Sequence, residues 1–595
     1  MSKDCDFTRR DFLNMAALSA GSALMCSSSS GRPLSSADTS YIVQLEKREL
    51  RADKKFVLFP INNKARSRRV RLMKNGRLLR SFTASLGLPA QWWAHLDISA
   101  WHDQTLMLSL ENDNSPNAIK GRGTSESGNA ELIAAVYTSA EIWSPESVYK
   151  EPLRPEFHFT PRRGWNNDPN GLMYYAGQYH LFFQHNPYGV RWGNMHWGHA
   201  VSTDLVHWKE LPIALYPRGE EDFPFSGSGI VDHENCSGWG KNGRPPMVLA
   251  FTSTGRGECM AYSQDDGVTW KEFEGNPVIK HSGRDPRLFW YAQIKQWIIA
   301  VYSERPGRDD SVPECYGISF YSSEDLKSWQ KHSWIEGYYE CPDLFALPTD
   351  GDSNRIRWVL TCASGYYQIG EFDGSRFTPE SPRLPGPAGG KTELGPAAYA
   401  AQTFSNHPDG HRVQIAWGLV DTADLPFSQL ITFPTVLSLR TTPEGVRLCR
   451  EPVDAIQSLR THTYDIHAGP LTTSPLLSDL KSEAWDIESV IRVGGVAFQI
   501  LVRIGDDDYV YQPVSQMLTG PKGAMSIPLN DGRLKLRILV DRTTVTIFGD
   551  RGQAYGIFIR GNPGGLASLE LRTMWGEVYI EKLILHSLCS AWDGS

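Results

Sequence analysis

STDLVHW (202–208), SQDDGVTW (263–270) and SSEDLKSW (322–329) are three versions of one string that begins with serine, contains aspartate and ends in tryptophan. The closing tryptophans lie about sixty residues apart, and short alternating strands such as KQWIIAVYS stand between the copies. Four short strands repeating at this period, with almost no helical pattern, are typical of a β-propeller. About three hundred residues at this period predict five blades. A long sandwich with chance copies of the string is the alternative.

The regions flanking residues 151–455 also alternate apolar and polar residues. Residues 41–150 include RVRLMKNGRLLRSFTA, where the Asn75-Gly76 pair predicts a hairpin. Residues 456–595 include LKLRILVDRTTVTIFGD. The chain is therefore predicted to be all-β: a five-bladed β-propeller (151–455) followed by a C-terminal β-sandwich (456–595), with a small additional N-terminal β-sandwich (41–150) after a signal and linker (1–40).

Composition and charge narrow the function classes. The chain has 595 residues and a formal net charge of −7, without a long basic run, which argues against nucleic acid as a partner. After the N-terminus no apolar stretch is long enough to predict a membrane span. The 19 tryptophans and 23 tyrosines offer flat apolar faces for sugar rings, although most are expected in the core.

The N-terminal segment FTRRDFLNMAALSAGSALMC (7–26) combines Arg9 and Arg10 with a modest apolar stretch. It resembles a twin-arginine export signal, which implies a periplasmic, cell-surface or secreted bacterial protein. A disordered start with a chance arginine pair is the alternative, and a lipid anchor on Cys26 is left open. The seven later cysteines are scattered and odd in number, so we expect neither a disulfide framework nor a metal site.

Three carboxylates occupy unusual settings in different predicted blades: Asp168 in WNNDPNG (165–171), Asp285 in GRDPRLFW (283–290) and Glu340 in YYECPDLF (338–345). WNNDPNG predicts a sharp turn that displays its polar side chains. The inner strands of a propeller meet around one funnel, so these distant residues can converge. Taken singly, Asp168 could instead cap a turn, Asp285 could be one half of a structural ion pair, and Glu340 could be solvated at a strand end.

Two carboxylates about 5–5.5 Å apart are the equipment of a retaining glycosidase, one as ionised nucleophile and one as an acid of raised pKa. Asp168, among amide donors, suits the nucleophile, and Glu340, among aromatic residues, suits the acid. Arg284 is expected to keep its neighbour Asp285 ionised for contacts with sugar hydroxyls.

WNNDPNG, RDP and EC, in this order, resemble the signature motifs of glycoside hydrolase family 32, which includes invertases, inulinases and levanases. FFQHNP (182–187), FSGS (225–228) and LRILVDRTTVTIF (536–548) extend the likeness over roughly residues 155–590. The resemblance implies a propeller followed by a sandwich, no metal or other cofactor, Asp168 as nucleophile, Glu340 as acid and base, and Asp285 as transition-state stabiliser. It also implies a fructose pocket lined by Asn167, Gln184, Trp192, Phe225, Ser226, Arg284 and Trp417.

Two departures from the family pattern affect the expected substrate preference. Asn166 stands where the family usually has an apolar residue, and Glu393 and Ala397 stand where it usually has aspartates. The region around PAQWWAHLDISAWHDQTLMLSL (89–110) resembles an accessory domain of bacterial levanase-like enzymes, in which Trp92, Trp93 and Trp101 could bind polysaccharide or serve as core.

The resemblance implies a retaining hydrolase that releases fructose from β-fructofuranosides, with levan favoured over inulin and sucrose. The expected partner is a fructan or sucrose-type carbohydrate. A fructosyltransferase and a catalytically inactive fructan-binding protein are the alternatives. The intact set of three carboxylates argues against the inactive protein.

Overall fold

The computed structural model of the protein describes residues 45–115, 118–119, 127–309, 312–385, 397–422, 424–494, 499–574 and 576–592. The predicted export signal, Cys26 and Glu393 lie outside these residues. Within them, no helix is long and apolar enough to cross a membrane. The predicted fold class is confirmed: strands form two N-terminal sheets, a five-bladed propeller and two C-terminal sheets.

The N-terminal sandwich packs sheet β1-β6-β3-β4 on sheet β5-β2-β7. Asn75 and Gly76 have φ of 50° and 78°, which confirms the predicted hairpin. Trp92 is buried in the core and donates to Asn63 Oδ1 at 3.0 Å, so it is not available to polysaccharide. The elements are β1 Glu46–Arg51, β2 Phe56–Ile61, β3 Arg68–Lys74, β4 Arg77–Ala84, β5 Trp92–Asp97, β6 Thr105–Asn112, helix α1 Asn129–Ala135, β7 Tyr137–Ser139, and 3-10 turns Ser99–Trp101 and Pro145–Ser147.

In each of the first four blades of the propeller, four antiparallel strands follow one another in chain order. The fourth strand of blade four is short. Blades one and two are β8 Gly164–Tyr175, β9 Gln178–Asn186, β10 His196–Ser202, β11 Lys209–Leu215, β12 Pro224–Val231, β13 Met247–Ser253, β14 Gly257–Ser263 and β15 Lys271–Glu272. Blades three and four are β16 Gly283–Tyr291, β17 Gln296–Asp309, β18 Val312–Ser323, β19 Gln330–Glu336, β20 Asp343–Thr349, β21 Asp352–Thr361, β22 Tyr367–Phe372 and β23 Phe377–Pro379.

Blade five closes the ring against blade one. It consists of β24 Ala398–Thr403, β25 Arg412–Gly418, β28 Thr435–Thr442 and β29 Gly445–Pro452, with the short strands β26 Phe427–Ser428 and β27 Leu430–Ile431 between β25 and β28. Strand β26 pairs in parallel with the start of β8, and β24 contacts β8. A single bridge from β20 to β28 joins blades four and five into one nine-stranded sheet.

The repeated serine–aspartate–tryptophan string forms the turn between the third and fourth strands of a blade. In blade three, Asp325 Oδ1 accepts hydrogen bonds from the backbone N–H groups of Lys327 and Ser328 at 2.9 and 2.8 Å, and Trp329 Nε1 donates to Leu326 O at 3.2 Å. The copies in blades one and two make the same kinds of bond. The string therefore repeats because each copy supplies hydrogen-bond partners for the backbone groups of the same tight turn.

The C-terminal sandwich packs sheet β30-β42-β33-β38-β39-β40 on sheet β32-β41-β34-β35-β36-β37, with β31 added to β42. A 3-10 turn, Asp454–Leu459, precedes it. Its core is a cluster of buried aliphatic and aromatic side chains around Trp485. The strands are β30 Arg460–Asp465, β31 Gly469–Leu471, β32 Lys481–Ser482, β33 Trp485–Gly494, β34 Ile500–Ile504, β35 Asp507–Gln512, β36 Met517–Gly520, β37 Gly523–Ser526, β38 Arg533–Val540, β39 Thr544–Gly549, β40 Ala554–Ile559, β41 Ala567–Thr573 and β42 Glu577–Leu588.

Asp541, at the turn between β38 and β39, ties this sandwich to the segment that enters the propeller. Its buried carboxylate accepts hydrogen bonds from the N–H of Glu156 at 2.7 Å and of Phe157 at 3.3 Å, and lies 2.7 Å from His158 Nδ1. Burial raises its pKa, but the contacts with His158 and with backbone N–H groups outweigh burial and leave the pKa lowered. The motif LRILVDRTTVTIF thus joins two parts of the molecule.

We expect Asp541→Ala to lower the free energy of unfolding by about 3–5 kcal/mol, because it leaves several buried hydrogen-bond donors without an acceptor. Urea unfolding followed by fluorescence measures the change. Asp465→Ala, at an exposed position of the same sandwich, is the matched control and should change little. A loss below about 1 kcal/mol in Asp541→Ala would show that the junction does not depend on this carboxylate.

Candidate active site

The first strands of the five blades line the centre of the propeller. Four of them have an irregular stretch in their pairing with the second strand of the same blade. Strand β8 contacts β12 and β24, and β12 contacts β16. Register shifts interrupt β8, β12, β16 and β24 where each pairs with the next strand of its blade. A bulge re-aims the side chain at the extra residue. The interrupted stretches are Asn166–Pro169, Phe225–Gly227, Arg284–Arg287 and Tyr399–Gln402.

WNNDPNG is part of strand β8, so the expectation of a sharp turn was wrong. The segment pairs with β9 but shifts register between Asn166 and Pro169 and again between Asn170 and Met173. The turn falls later, at Ala176-Gly177, where φ is 50° and 85°. Asn166, Pro169 and Asn170 keep partners in β9, and the two register shifts leave Asn167 and Asp168, and then Gly171 and Leu172, outside the paired register. Asp168 is thereby presented on a strand packed on both sides.

Asn166, which departs from the family pattern, fastens this strand to blade five. It is fully buried, and with its amide oriented so that the nitrogen faces blade five, that nitrogen donates to the backbone carbonyls of Gln429 at 3.1 Å and Ser428 at 3.3 Å. Ala397, the other described departure, is also buried, at the start of blade five. The polar group at position 166 therefore has a structural partner.

Asp168 is surrounded by donors. Ser226 Oγ donates to its Oδ2 at 2.6 Å, and the thiol of Cys341 lies 3.7 Å from the same oxygen. Burial raises the pKa of Asp168 and the charge of Glu340 raises it further, whereas hydrogen bonds from Ser226, Asn167 and Cys341 lower it; the net pKa is raised. The site thus combines a partly desolvated carboxylate with donors that fix its position.

Asp285 shares Cys341 with Asp168. Its Oδ2 accepts a hydrogen bond from the backbone N–H of Cys341 at 3.1 Å, and the Cys341 thiol lies 3.5 Å away. Burial raises the pKa of Asp285 to about 8; Arg284 opposes this, and the charges of Glu340 and Asp168 add to it. Both carboxylates lie beside the Cys341 thiol, and the charge of Asp168 makes Asp285 harder to ionise.

Arg284 pairs mainly with Glu340, which corrects the expectation that it keeps Asp285 ionised. Its Nε and Nη2 donate to Glu340 Oε2 at 3.0 and 2.7 Å, whereas its nearest approach to Asp285 is 3.7 Å. The bulge at Asp285, where φ is 67°, turns neighbouring side chains in different directions. Sequence adjacency therefore did not predict the ion pair.

Glu340 is held from both sides. Besides Arg284, the Tyr399 hydroxyl donates to its Oε1 at 2.7 Å. Tyr339 accepts from Arg284 Nη2 at 3.1 Å, and the guanidinium lies 4.8 Å from the centre of the Tyr302 ring. Burial and the adjacent Glu340 charge raise the pKa of Tyr399 well above its usual range, so it stays a donor. These contacts therefore fix the orientation of the Glu340 carboxylate relative to Asp168 and Asp285.

Tyr399 and Cys341 were missed by sequence reasoning. Tyr399 lies in the alanine-rich segment AAYAAQTF, where a single large polar side chain among small residues was the available signal. For Cys341, the available signal was its position directly after Glu340. Neither signal could be interpreted from the sequence, because its meaning depends on β24 facing the segment before β20.

The remaining predicted pocket residues fall into three places around the carboxylates. Asn167 accepts from Trp165 Nε1 at 2.9 Å beside Asp168, and Gln184 is buried and donates to Pro224 O at 3.0 Å. Trp417 packs edge-on against Trp165 and Tyr399 and donates to Gln429 Oε1 at 3.0 Å. Trp192 is 51% exposed and lies edge-on to Phe225, with ring centres 6.0 Å apart.

Two other features lie away from the carboxylates. A cavity of about 540 Å³ sits further along the inner strands, and Arg287, Leu344, Ser405 and Arg412 are among its lining residues. In the loop after β24, ligand atoms of His407, Asp409 and His411 lie within 4.8 Å of one another, close enough to hold a metal ion. The sequence analysis singled out neither feature, and neither includes a predicted site residue.

Comparisons with known proteins agree with this architecture. Residues 158–452 match the model of the glycosyl hydrolases family 32 N-terminal domain. A levanase of Bacillus subtilis (strain 168) is 35% identical over 522 residues, which cover 78% of this chain and 74% of the levanase. An extracellular exo-inulinase of Aspergillus niger is 31% identical over 68% of this chain and 89% of its own length.

Solved structures give the same result. The crystal structure of exo-inulinase from Aspergillus awamori is similar with a TM-score of 0.64 and 28% identity, over 75% of this chain and 100% of that one. A β-fructofuranosidase from Schwanniomyces occidentalis complexed with fructosyl-erythritol gives a TM-score of 0.65 at 26% identity, again over 75% of this chain and 100% of that one. The chain therefore belongs to glycosyl hydrolase family 32.

Proposed function

We propose that the protein is a retaining β-fructofuranosidase that releases fructose from fructans, with levan as the first candidate substrate. The observation that carries the proposal is the convergence of Asp168, Asp285 and Glu340 around Cys341, in a pocket walled by Trp165, Trp417 and Phe225. The printed names of the relatives, which include levanase, exo-inulinase and β-fructofuranosidase, support the substrate class.

In the proposed first step, Asp168 attacks the anomeric carbon of a fructosyl unit while Glu340 gives a proton to the departing oxygen. The bond from fructose to the leaving group breaks, and a fructosyl–Asp168 ester forms. Ser226 and Asn167 keep Asp168 in place, and Arg284 and Tyr399 do so for Glu340. Fixed positions matter because displacements of about 1 Å can cost a hundredfold in rate.

In the second step, Glu340 takes a proton from water as the water oxygen bonds to the anomeric carbon; the bond from that carbon to Asp168 breaks, which frees fructose and restores the Asp168 carboxylate. Asp285 accepts hydrogen bonds from the fructose hydroxyls through both steps. The backbone N–H of Cys341, which donates to Asp285 Oδ2 at 3.1 Å, fixes this carboxylate for those contacts.

Incubation of the purified chain with levan, inulin and sucrose, followed by chromatography of the products, tests the proposal. Free fructose as sole product from a fructan indicates cleavage at chain ends, shorter oligosaccharides indicate internal cleavage, and longer products indicate transfer. Release from levan in preference to inulin supports the levan assignment. Absence of product from all three, with the fold intact, contradicts the proposed function and favours a fructan-binding protein.

We expect Ser226→Ala to lower kcat/KM about tenfold and to move the acidic limb of its pH profile to higher pH. The hydrogen bond from Ser226 lowers the pKa of Asp168, so its loss raises that pKa, and the ionised nucleophile then persists only at higher pH. Initial rates across a pH series measure both effects. Ser328→Ala, in an exposed turn of blade three, is the control; an unshifted acidic limb in Ser226→Ala would contradict the assignment.

A further inference from the structure

The loop between β9 and β10, residues 187–195, carries Trp192 at the pocket opening but belongs in part to the N-terminal core. Tyr188 and Val190 are 1% and 4% exposed and pack within the hydrophobic cluster of the N-terminal sandwich. The Tyr188 ring stacks on Phe82 with ring centres 3.6 Å apart. The loop therefore begins inside a neighbouring domain.

The other side of the loop is held by Asn194. Its Oδ1 accepts from the backbone N–H of Thr83 at 2.9 Å, and its Nδ2 donates to the Thr83 carbonyl at 2.7 Å and to Asn186 Oδ1 at 3.0 Å. Asn186 Nδ2 in turn donates to Arg191 O at 2.8 Å. The side-chain amide of Asn194 thus pairs with strand β4 as a neighbouring strand would, two residues from Trp192.

The N-terminal sandwich contacts two further segments near the opening. Glu220, in the segment that leads to Phe225, accepts from Ser81 Oγ at 3.0 Å and forms an ion pair with Arg71. Asn63 Nδ2 donates to the carbonyl of Leu425 at 3.3 Å, in the loop that continues to Gln429, the partner of Trp417. Three segments around the carboxylates are therefore anchored to one accessory domain.

We propose that the N-terminal sandwich is a positioning domain for the pocket opening, which holds Trp192 in place through Asn194 and Tyr188 and thereby sets substrate affinity. The inference rests on the proposed function. Half of the Trp192 surface is free, so its ring can contact the sugar unit that extends out of the pocket. Binding is tighter when such a side chain is ordered beforehand, because less freedom is lost on association. Asn194 acts through Trp192 and is a positioning residue.

The test is Asn194→Gly, which removes the hydrogen bonds of the Asn194 side chain but tolerates the left-handed backbone at this position, where φ is 45°. We expect KM for levan and for sucrose to rise about three- to tenfold with kcat within about twofold, since uniform binding is lost. In a Trp192→Ala background, Asn194→Gly should raise KM no further. Hydrogen exchange of residues 187–195 should become faster.

Asn242→Gly is the matched control, because Asn242 has φ of 54° in an exposed turn of blade two. It should change neither KM nor exchange of the loop, and thermal unfolding checks that both variants fold. An unchanged KM in Asn194→Gly, or a full additional rise in the Trp192→Ala background, overturns the proposal. If the wild-type chain cleaves neither substrate, the proposed function fails on its own. Levan binding by calorimetry then replaces KM, and equal affinity of wild type and Asn194→Gly overturns the positioning role.

Discussion

Asp168→Asn is expected to lose on the order of 10⁴-fold or more in kcat on levan and sucrose while it unfolds at the wild-type temperature. The amide oxygen can still accept from Ser226, so local packing is kept, but the amide cannot form the ester intermediate. Losses of this size accompany removal of a covalent nucleophile in other hydrolases. Steady-state release of fructose, with thermal unfolding alongside, measures the effect.

The control for this variant is Asp479→Asn, which makes the same change at an exposed position of the C-terminal sandwich and should retain full activity. Rapid mixing adds a second measurement: we expect the wild-type chain to form a fructosyl–enzyme adduct detectable by mass spectrometry after acid quench, and Asp168→Asn to form none. Turnover within about tenfold of wild type in Asp168→Asn would remove the nucleophile assignment.

Glu340→Gln is expected to lower kcat on sucrose and levan about 10²–10⁴-fold, the range typical of a lost general acid and base. The glutamine can still accept from Tyr399 but has no proton to give to the leaving oxygen. An aryl β-fructofuranoside with an acidic phenol needs little protonation on departure, so its first step should be much less affected. Comparing the two substrate types in one variant isolates the acid role.

Glu371→Gln, at an exposed position of β22 in blade four, is the matched control. A burst of phenol followed by slow turnover is the expected time course for Glu340→Gln on the aryl substrate, because water activation still requires the missing base. Equal losses on sucrose and on the aryl substrate would instead indicate that Glu340 acts by position alone.

The repeated serine–aspartate–tryptophan string predicted the propeller because it encodes a complete local structure. Asp325 and Trp329 satisfy the backbone of one turn within eight residues, and such bonds depend on no distant partner. Asp373 makes similar bonds to the backbone N–H groups of Ser375 and Arg376 in blade four without a tryptophan, so the string did not reveal that copy.

Other parts of the site depend on partners far away in sequence. The strand conformation of WNNDPNG is decided by its pairing with β9 and by bulges, whereas its composition alone favours a turn. Arg284 was assigned to its sequence neighbour, but the bulge at Asp285 turns it to Glu340, fifty-six residues on. Tyr188, in the same way, packs in a core made by residues before 137. Periodicity carries no information about such contacts.

The order in which the blades are synthesised bears on when the protein can act. Asp168 emerges from the ribosome first, yet its strand β8 is completed only by β24 and β26 of the last blade. Tyr399, which holds Glu340, also belongs to that last blade. A nascent chain that ends between residues 341 and 427 therefore contains all three carboxylates but lacks the finished ring that brings them together. The three carboxylates therefore come together in a single late step, after blade five has been synthesised.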